Sequence, residues 1–257
     1  MTHMTETTAE TVPVVETPED FRRMPEEYQE LAIHQMMVHT EGELSGADDY
    51  LQVFFPIAPN AYERKVCCER AAEEIDHYMI GAAVLNDLGI NTDHMLDQKL
   101  LERGLYASPA IHNIKTWTQR ALFSYIGENA VLDHIEEMAK SSYRPWANSF
   151  GKVIRDEHVH VGHGRRIVRE MLRDEAGREE VQQTLNAMWP FVLSLFGSDT
   201  SRRSPEYLRW GLRQRTNAEA RDFFVARIVP ELNRMGLTVP DQPAPQAPAQ
   251  PEGPTHA

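Results

Sequence analysis

Two short stretches decide how this chain is read: Glu73-Glu74-Ile75-Asp76-His77 and Asp156-Glu157-His158-Val159-His160. Each contains Glu-x-x-His, Glu74 with His77 and Glu157 with His160. Residues three apart on an α-helix share a face, so each pair presents an oxygen and a nitrogen in one direction. The motif alone is weak, since a chain with 11 His and 26 Glu holds roughly one such pair by chance. Two further glutamates change that. Glu43 lies 31 residues before Glu74, and Glu128 lies 29 residues before Glu157. The order Glu, Glu-x-x-His, Glu, Glu-x-x-His on successive helices is the inward donor set of a two-metal carboxylate bundle.

The surrounding sequence supplies the helices. A first helix is expected from about Pro25 to Asp49, broken by the stretch Phe54 to Pro59. Asn60, with Glu63 three residues on, caps a second helix running to about Leu88, and Gly89 sits where a C-terminal glycine belongs. Short helices and loops fill 91–115. A third helix spans about Trp117 to Ser142, and Pro145 opens a fourth that runs to about Asp174. Further helices are expected near 178–195, 205–214 and Thr216 to Met235. Strand alternation and hairpin turns are scarce. The pattern predicts an all-α, ferritin-like four-helix bundle with additional C-terminal helices.

The faces agree with the donor set. Glu128 shares a stripe with Ala121, Ser124, Leu132 and Ile135, and Glu157 and His160 share one with Phe150, Val153, Gly164, Ile167 and Met171. Acids on such stripes are costly unless paired or bound to metal. Asp133, Glu136 and Glu137 fall on other faces and read as a solvated surface. Glu73 and Asp156, each one residue before a motif, stand where they can orient a metal-binding imidazole. His158 faces away, and His163 lies on the flank. Cys67 and Cys68 read as small core residues.

Bulk properties narrow the function. The 257 residues, 41% of them hydrophobic, suffice for one sizeable core. The net charge of −13 argues against a nucleic-acid partner. No apolar run approaches a membrane span of about 18 residues, and no export signal is legible. Adjacent Cys67 and Cys68 form no disulfide framework, which fits a cytoplasmic location. Residues 1–18 read as a disordered acidic tail, 19–239 as one metal-binding oxygenase domain, and 240–257 as a disordered Pro/Gln-rich tail.

Oxygen and nitrogen donors without thiolate suit iron or manganese, and a pair of Fe(II) ions in an apolar pocket can activate O2. The chain has no Gly-rich dinucleotide turn and no cysteine set for an iron–sulfur cluster, so it binds neither nicotinamide nor flavin by any legible motif. Continuous turnover then needs a separate reductase. Arg209, Arg213 and Arg215 belong to a basic cluster that can hold phosphates.

The chain resembles the catalytic subunits of the phenylacetate-catabolism family of ferritin-like oxygenases. The likeness rests on RMPEEYQELAIHQMMVHTEGELSG (23–46), ERAAEEIDH (69–77) and SSYRPWANSFGKVIRDEHVHVGHG (141–164). It also rests on MWPFVLSLFG (188–197) and RTNAEARDFFVARIVPELNRMGLTVPD (215–241), outside the metal motifs. By position, the resemblance puts the iron ligands on Glu43, Glu74, His77, Glu128, Glu157 and His160. It implies 1,2-epoxidation of the ring of phenylacetyl-CoA, or oxidation of a related aryl- or acyl-CoA. It also implies an NADPH-dependent flavin and iron–sulfur reductase and, as a further partner, a related structural subunit. The segment GLYASPAIHNIK (104–115), which the resemblance makes substrate-lining, departs from the family pattern. The competing readings are a paralogue with a CoA-free substrate, an iron-storage protein and a structural partner subunit.

Overall fold

The computed structural model describes residues 12–104 and 109–240, and over these the chain is all-α. Helix α1, Pro18–Arg23, leads into α2, Glu26–Asp49. The α2 rod continues through a wide π turn, Tyr50–Phe54, into α3, Phe55–Ile57. Helix α4, Ala61–Asp87, packs along α2. A long connection then carries α5, Asp93–Asp97, a 3-10 turn and α6, Pro109–His112. The third rod is α7, Trp117–Leu122, a second π turn, Phe123–Gly127, and α8, Glu128–Met138. The fourth is α9, Arg144–Met171. It packs on α4, α7 and α8 and closes the bundle. Helices α10, Glu175–Ser194, α11, Arg203–Arg209, and α12, Asn217–Arg234, complete the fold. Short links within each pair of rods and one long crossover between the pairs are the connectivity of ferritin-like bundles.

Local chemistry sets the ends. The Asn60 side chain accepts from Glu63 N at 2.9 Å, Thr216 and Glu219 form a reciprocal capping box, and Gly89 takes φ +83°. Losing such an N-cap costs about 1 kcal/mol. The third rod stops at Met138, short of the expected Ser142, because the link to α9 is bonded elsewhere. Val15 N donates to Ser142 O, Arg144 N to Val15 O and Ser142 N to Gly211 O, at 2.8–2.9 Å. Of the expected N-terminal tail, residues 1–11 lie outside the described residues. Val15 is buried and bridged to Tyr143, so the chain is docked before residue 18, where the tail was expected to end. Of the expected C-terminal tail, 241–257 lie outside the described residues.

The expectation of a solvated Asp133–Glu137 face is corrected for two of its three acids. Asp133 and Glu137 are buried, whereas Glu136 keeps 44% side-chain exposure. Arg227 of α12 donates to Asp133 at 2.7 Å and Arg215 to Glu137 at 2.9 Å. The C-terminal helices cover this face, which a four-helix reading leaves open to solvent.

Two large apolar clusters and a smaller third fill the bundle among the described residues. One of the large clusters gathers Tyr50, Phe54 and Phe123, the other Met36, Trp146 and Phe150.

Candidate metal centre

Glu43 on α2, Glu74 and His77 on α4 and Glu157 on α9 are buried, and each offers a donor atom within 4.8 Å of the others. His77 Nδ1 lies 3.2 Å from Glu43 Oε2, 3.7 Å from Glu74 Oε2 and 3.6 Å from Glu157 Oε1. His160 Nδ1 lies 3.3 Å from Glu74 Oε1 and 3.6 Å from Glu157 Oε1, without a hydrogen bond to either. Glu74 therefore touches both imidazoles. Glu128 shares the cavity with Glu43, Glu74 and Glu157. Its Oε1 accepts from Tyr50 OH at 2.8 Å and Ser124 Oγ at 3.1 Å, and its Oε2 is buried without a hydrogen bond. All six residues expected from the motif arithmetic thus meet in one place.

The acids before the motifs act crosswise. Glu73 of α4 accepts from His160 Nε2 of α9 at 2.8 Å, and Asp156 of α9 accepts from His77 Nε2 of α4 at 3.1 Å. With the proton on Nε2, each imidazole turns its Nδ1 lone pair toward the glutamates, as a metal donor must. Burial works against ionisation of both acids. The His160 and Arg70 contacts still hold Glu73 low, and Lys152 and His77 do the same for Asp156.

Without a bound cation, protons supply the positive charge of the centre. Burial pushes Glu43 up to about 8, and burial with neighbouring Glu74 carries Glu157 well above the carboxylate range. Burial opposes charging His77, yet Glu43 and Glu74 raise it to about 11. His160 rises to about 10 against its own burial, through Glu157, Glu73 and Glu74. Those imidazoles in turn hold Glu74 far below its ordinary value despite burial. Like charges this close cannot all persist without cations. Four carboxylates with two neutral imidazoles match two divalent ions in charge and in donor type, so the residues present fit a di-iron group.

A cavity of about 70 Å³ adjoins these groups, walled by Phe54, Ile111, Phe123 and Val131 among others. Two glycines make room. A Cβ at Gly46 would stand 3.2 Å from the Glu74 carboxyl, and one at Gly164 would stand 2.5 Å from Tyr125 N in the second π turn. α9 approaches that turn closely because residue 164 has no side chain.

Several residues escaped the sequence reading. His39 Nε2 is 3.0 Å from Glu43 Oε1, and its ring packs on Trp146 and Phe150. Its i,i+4 spacing to Glu43 was the available signal. Tyr50 had none, because a π turn has no sequence signature and rotates the side chains that follow. His163 pairs with buried Glu63 at 2.8 Å and contacts the fully buried Arg120. His158 faces outward and Cys67 is buried, as expected, whereas Cys68 is exposed and not the core residue it was expected to be.

The three arginines named for phosphates lie outside the cavity wall. Arg209 pairs with Glu27 and Glu206 and stacks on Trp210. Arg213 donates to Asn217 at 2.8 Å, and Arg215 pairs with Glu137. Among the described residues no helix is long and apolar enough to cross a membrane.

Fold and site together define an all-α bundle with a buried carboxylate–imidazole centre beside a small apolar cavity. Over residues 4–253 the sequence matches the family of phenylacetic acid catabolic proteins, and the chain belongs to that family. It is similar to one subunit of the 1,2-phenylacetyl-CoA epoxidase of Escherichia coli (strain K12). The two are 25% identical over 227 residues, which cover 87% of this chain and 72% of that relative.

Proposed function

We propose that this chain is the catalytic subunit of a multicomponent di-iron monooxygenase that epoxidises the ring of phenylacetyl-CoA or oxidises a related aryl- or acyl-CoA. The observation that carries this reading is the gathering of Glu43, Glu74, Glu128 and Glu157 on one cavity wall, with His77 and His160 each close to Glu74 and Glu157. Family membership and the similarity to part of an epoxidase support it. Two iron ions, when bound, supply electrons and open positions for O2. Glu43, Glu74, His77, Glu128, Glu157 and His160 would hold these ions, with Glu74 in contact with both imidazoles. Glu73 and Asp156 fix the imidazoles. Phe54, Ile111 and Phe123 exclude water and offer apolar surface to a ring.

Electrons would come from a separate NADPH-dependent flavin and iron–sulfur reductase, and a related structural subunit would dock in a hetero-oligomer. The relative is itself one component of a multi-subunit epoxidase, which supports a partner for this chain. Free Cys67 and Cys68 suit the cytoplasm. For the CoA phosphates, Arg209 is the group best placed to exchange partners, since its side chain is 43% exposed. Arg213 and Arg215 are paired with Glu137.

The test is reconstitution. Purified iron-loaded chain, NADPH, O2 and phenylacetyl-CoA are combined with and without the cognate reductase and partner subunit. Sustained, product-coupled NADPH consumption is expected only with the added proteins. Turnover by the chain alone would overturn the multicomponent reading.

A further inference from the structure

The cavity beside the centre is small for an aromatic substrate. Its volume is about 70 Å³, and Glu43, Glu74, Glu128 and Glu157 line part of it, so bound ions would share that room. Benzene is held by an apolar cavity of about 150 Å³, roughly twice the space found here. A diatomic gas fits the cavity as it stands, and a phenyl ring does not. A ring can use this wall only if part of the wall gives way.

Among the described residues, Phe54, Ile111, Phe123 and Val131 supply the apolar wall, and they differ in freedom. Phe54 is fixed by the Tyr50 ring at 5.2 Å and by the fully buried Arg120 guanidinium at 5.8 Å. Val131 is a small side chain, and Ile111 sits on the four-residue α6. Phe123 is the largest group that remains. Its ring lies on the bare backbone of Gly127, at the other end of the same π turn. A Cβ at residue 127 would stand 2.6 Å from Phe123 Cδ2 and 2.9 Å from Cε2, so the ring has this seat because residue 127 is glycine. The ring also stacks on Phe191 of α10 at 6.2 Å, and Phe191 is only partly buried. Phe123 therefore has a yielding neighbour where Phe54 has a buried cation.

We propose that Phe123 is the specificity-determining residue of this cavity: seated on Gly127, its ring excludes groups as large as phenyl, and an aromatic substrate enters by displacing it toward Phe191. The substrate class rests on the oxygenase reading, whereas the size limit belongs to the chain alone. A close apolar wall discriminates by about 10-fold or more per added methylene. The position of one ring is thus enough to set which acyl group reaches the centre.

The experiment titrates benzene into the metal-free, full-length chain and follows binding by NMR, in wild type, Phe123→Ala and Ile111→Ala. Phe123→Ala should bind benzene at least about 10-fold more tightly than wild type, and Ile111→Ala should gain less, because it removes a smaller part of the wall. Equal affinity in wild type and Phe123→Ala, or equal gains in the two variants, would overturn the proposal. Truncating a buried ring lowers stability, so Phe123→Leu serves as a milder second variant. An intermediate gain is expected from it, and no gain with helical circular dichroism retained would count against the proposal equally. In the reconstituted system, kcat/KM for naphthylacetyl-CoA relative to phenylacetyl-CoA should rise about 10-fold or more in the Phe123 variants, with iron loading unchanged. A purely structural role would lower both substrates alike and leave that ratio where it was, which overturns the assignment. Wild type that takes up no O2 in the complete system would defeat the oxygenase reading itself, and the benzene comparison would still decide the size limit.

Discussion

The two halves of the centre solve the same problem with different chemistry. In the α2–α4 half, Glu43 faces two imidazoles, His39 at 3.0 Å and His77 at 3.2 Å. In the α8–α9 half, Glu128 is held by two hydroxyls, Tyr50 and Ser124, and one of its oxygens makes no hydrogen bond. His77 can take up a proton and balance a carboxylate, while burial keeps His39 neutral; a hydroxyl only solvates a carboxylate. The Glu43 half is therefore assembled before any cation arrives. The Glu128 half has a free oxygen that a cation would complete. The convergent set draws Glu43, Glu74 and His77 from the α2–α4 half and only Glu157 from the α8–α9 half.

The largest effect is expected where the halves join. Glu74→Ala removes the carboxylate that touches both imidazoles, so iron after anaerobic Fe(II) loading should fall from about two per chain to near none, with helical circular dichroism retained. Two irons per chain in that variant would remove Glu74 from the donor set.

Next in size is the contrast between halves. Glu128→Ala should keep about one iron per chain because the preassembled set is intact, while Glu43→Ala should fall below that. Equal losses would show that the halves do not differ.

The smallest effect is on the pH dependence of the metal-free chain. Glu43, raised to about 8, binds its proton more tightly folded than unfolded. Its contribution is full below its ordinary value and is lost as pH rises through about 8. His77, raised to about 11, has the same sign, with its loss reached at higher pH. Glu74, held low, has the opposite sign, and its contribution is lost only in acid. The thermal midpoint of metal-free protein should therefore fall from roughly pH 6 to pH 9, while the loaded protein stays nearly flat. A flat metal-free profile would mean the acids are not coupled to folding.

Much of this was legible in one dimension. Asn60, Gly89, Thr216 and Pro145 act within a turn of their own helices, so caps and helix starts could be read directly. The Glu-x-x-His motifs could be read because i,i+3 spacing fixes a shared face whatever the helix packs against. Tyr50 shows the limit. It lies in a π turn, where the 3.6-residue register slips, so face arithmetic does not find it. Asp133 and Glu137 show another. Their burial depends on Arg227 and Arg215, about 80 to 100 residues away, and local spacing does not encode such neighbours.

The sequence by itself determined an all-α chain, where its long helices begin, and which six residues share inward faces, because these follow from periodicity and capping within a few residues. Only the tertiary structure decided that Glu73 holds His160 and Asp156 holds His77 rather than their own helix's histidine. It alone decided that Tyr50 reaches across to Glu128, and that Phe123 meets Phe54 at the cavity wall. Such contacts join elements far apart in the chain, and their partners are chosen by how rods pack, which no single helix specifies.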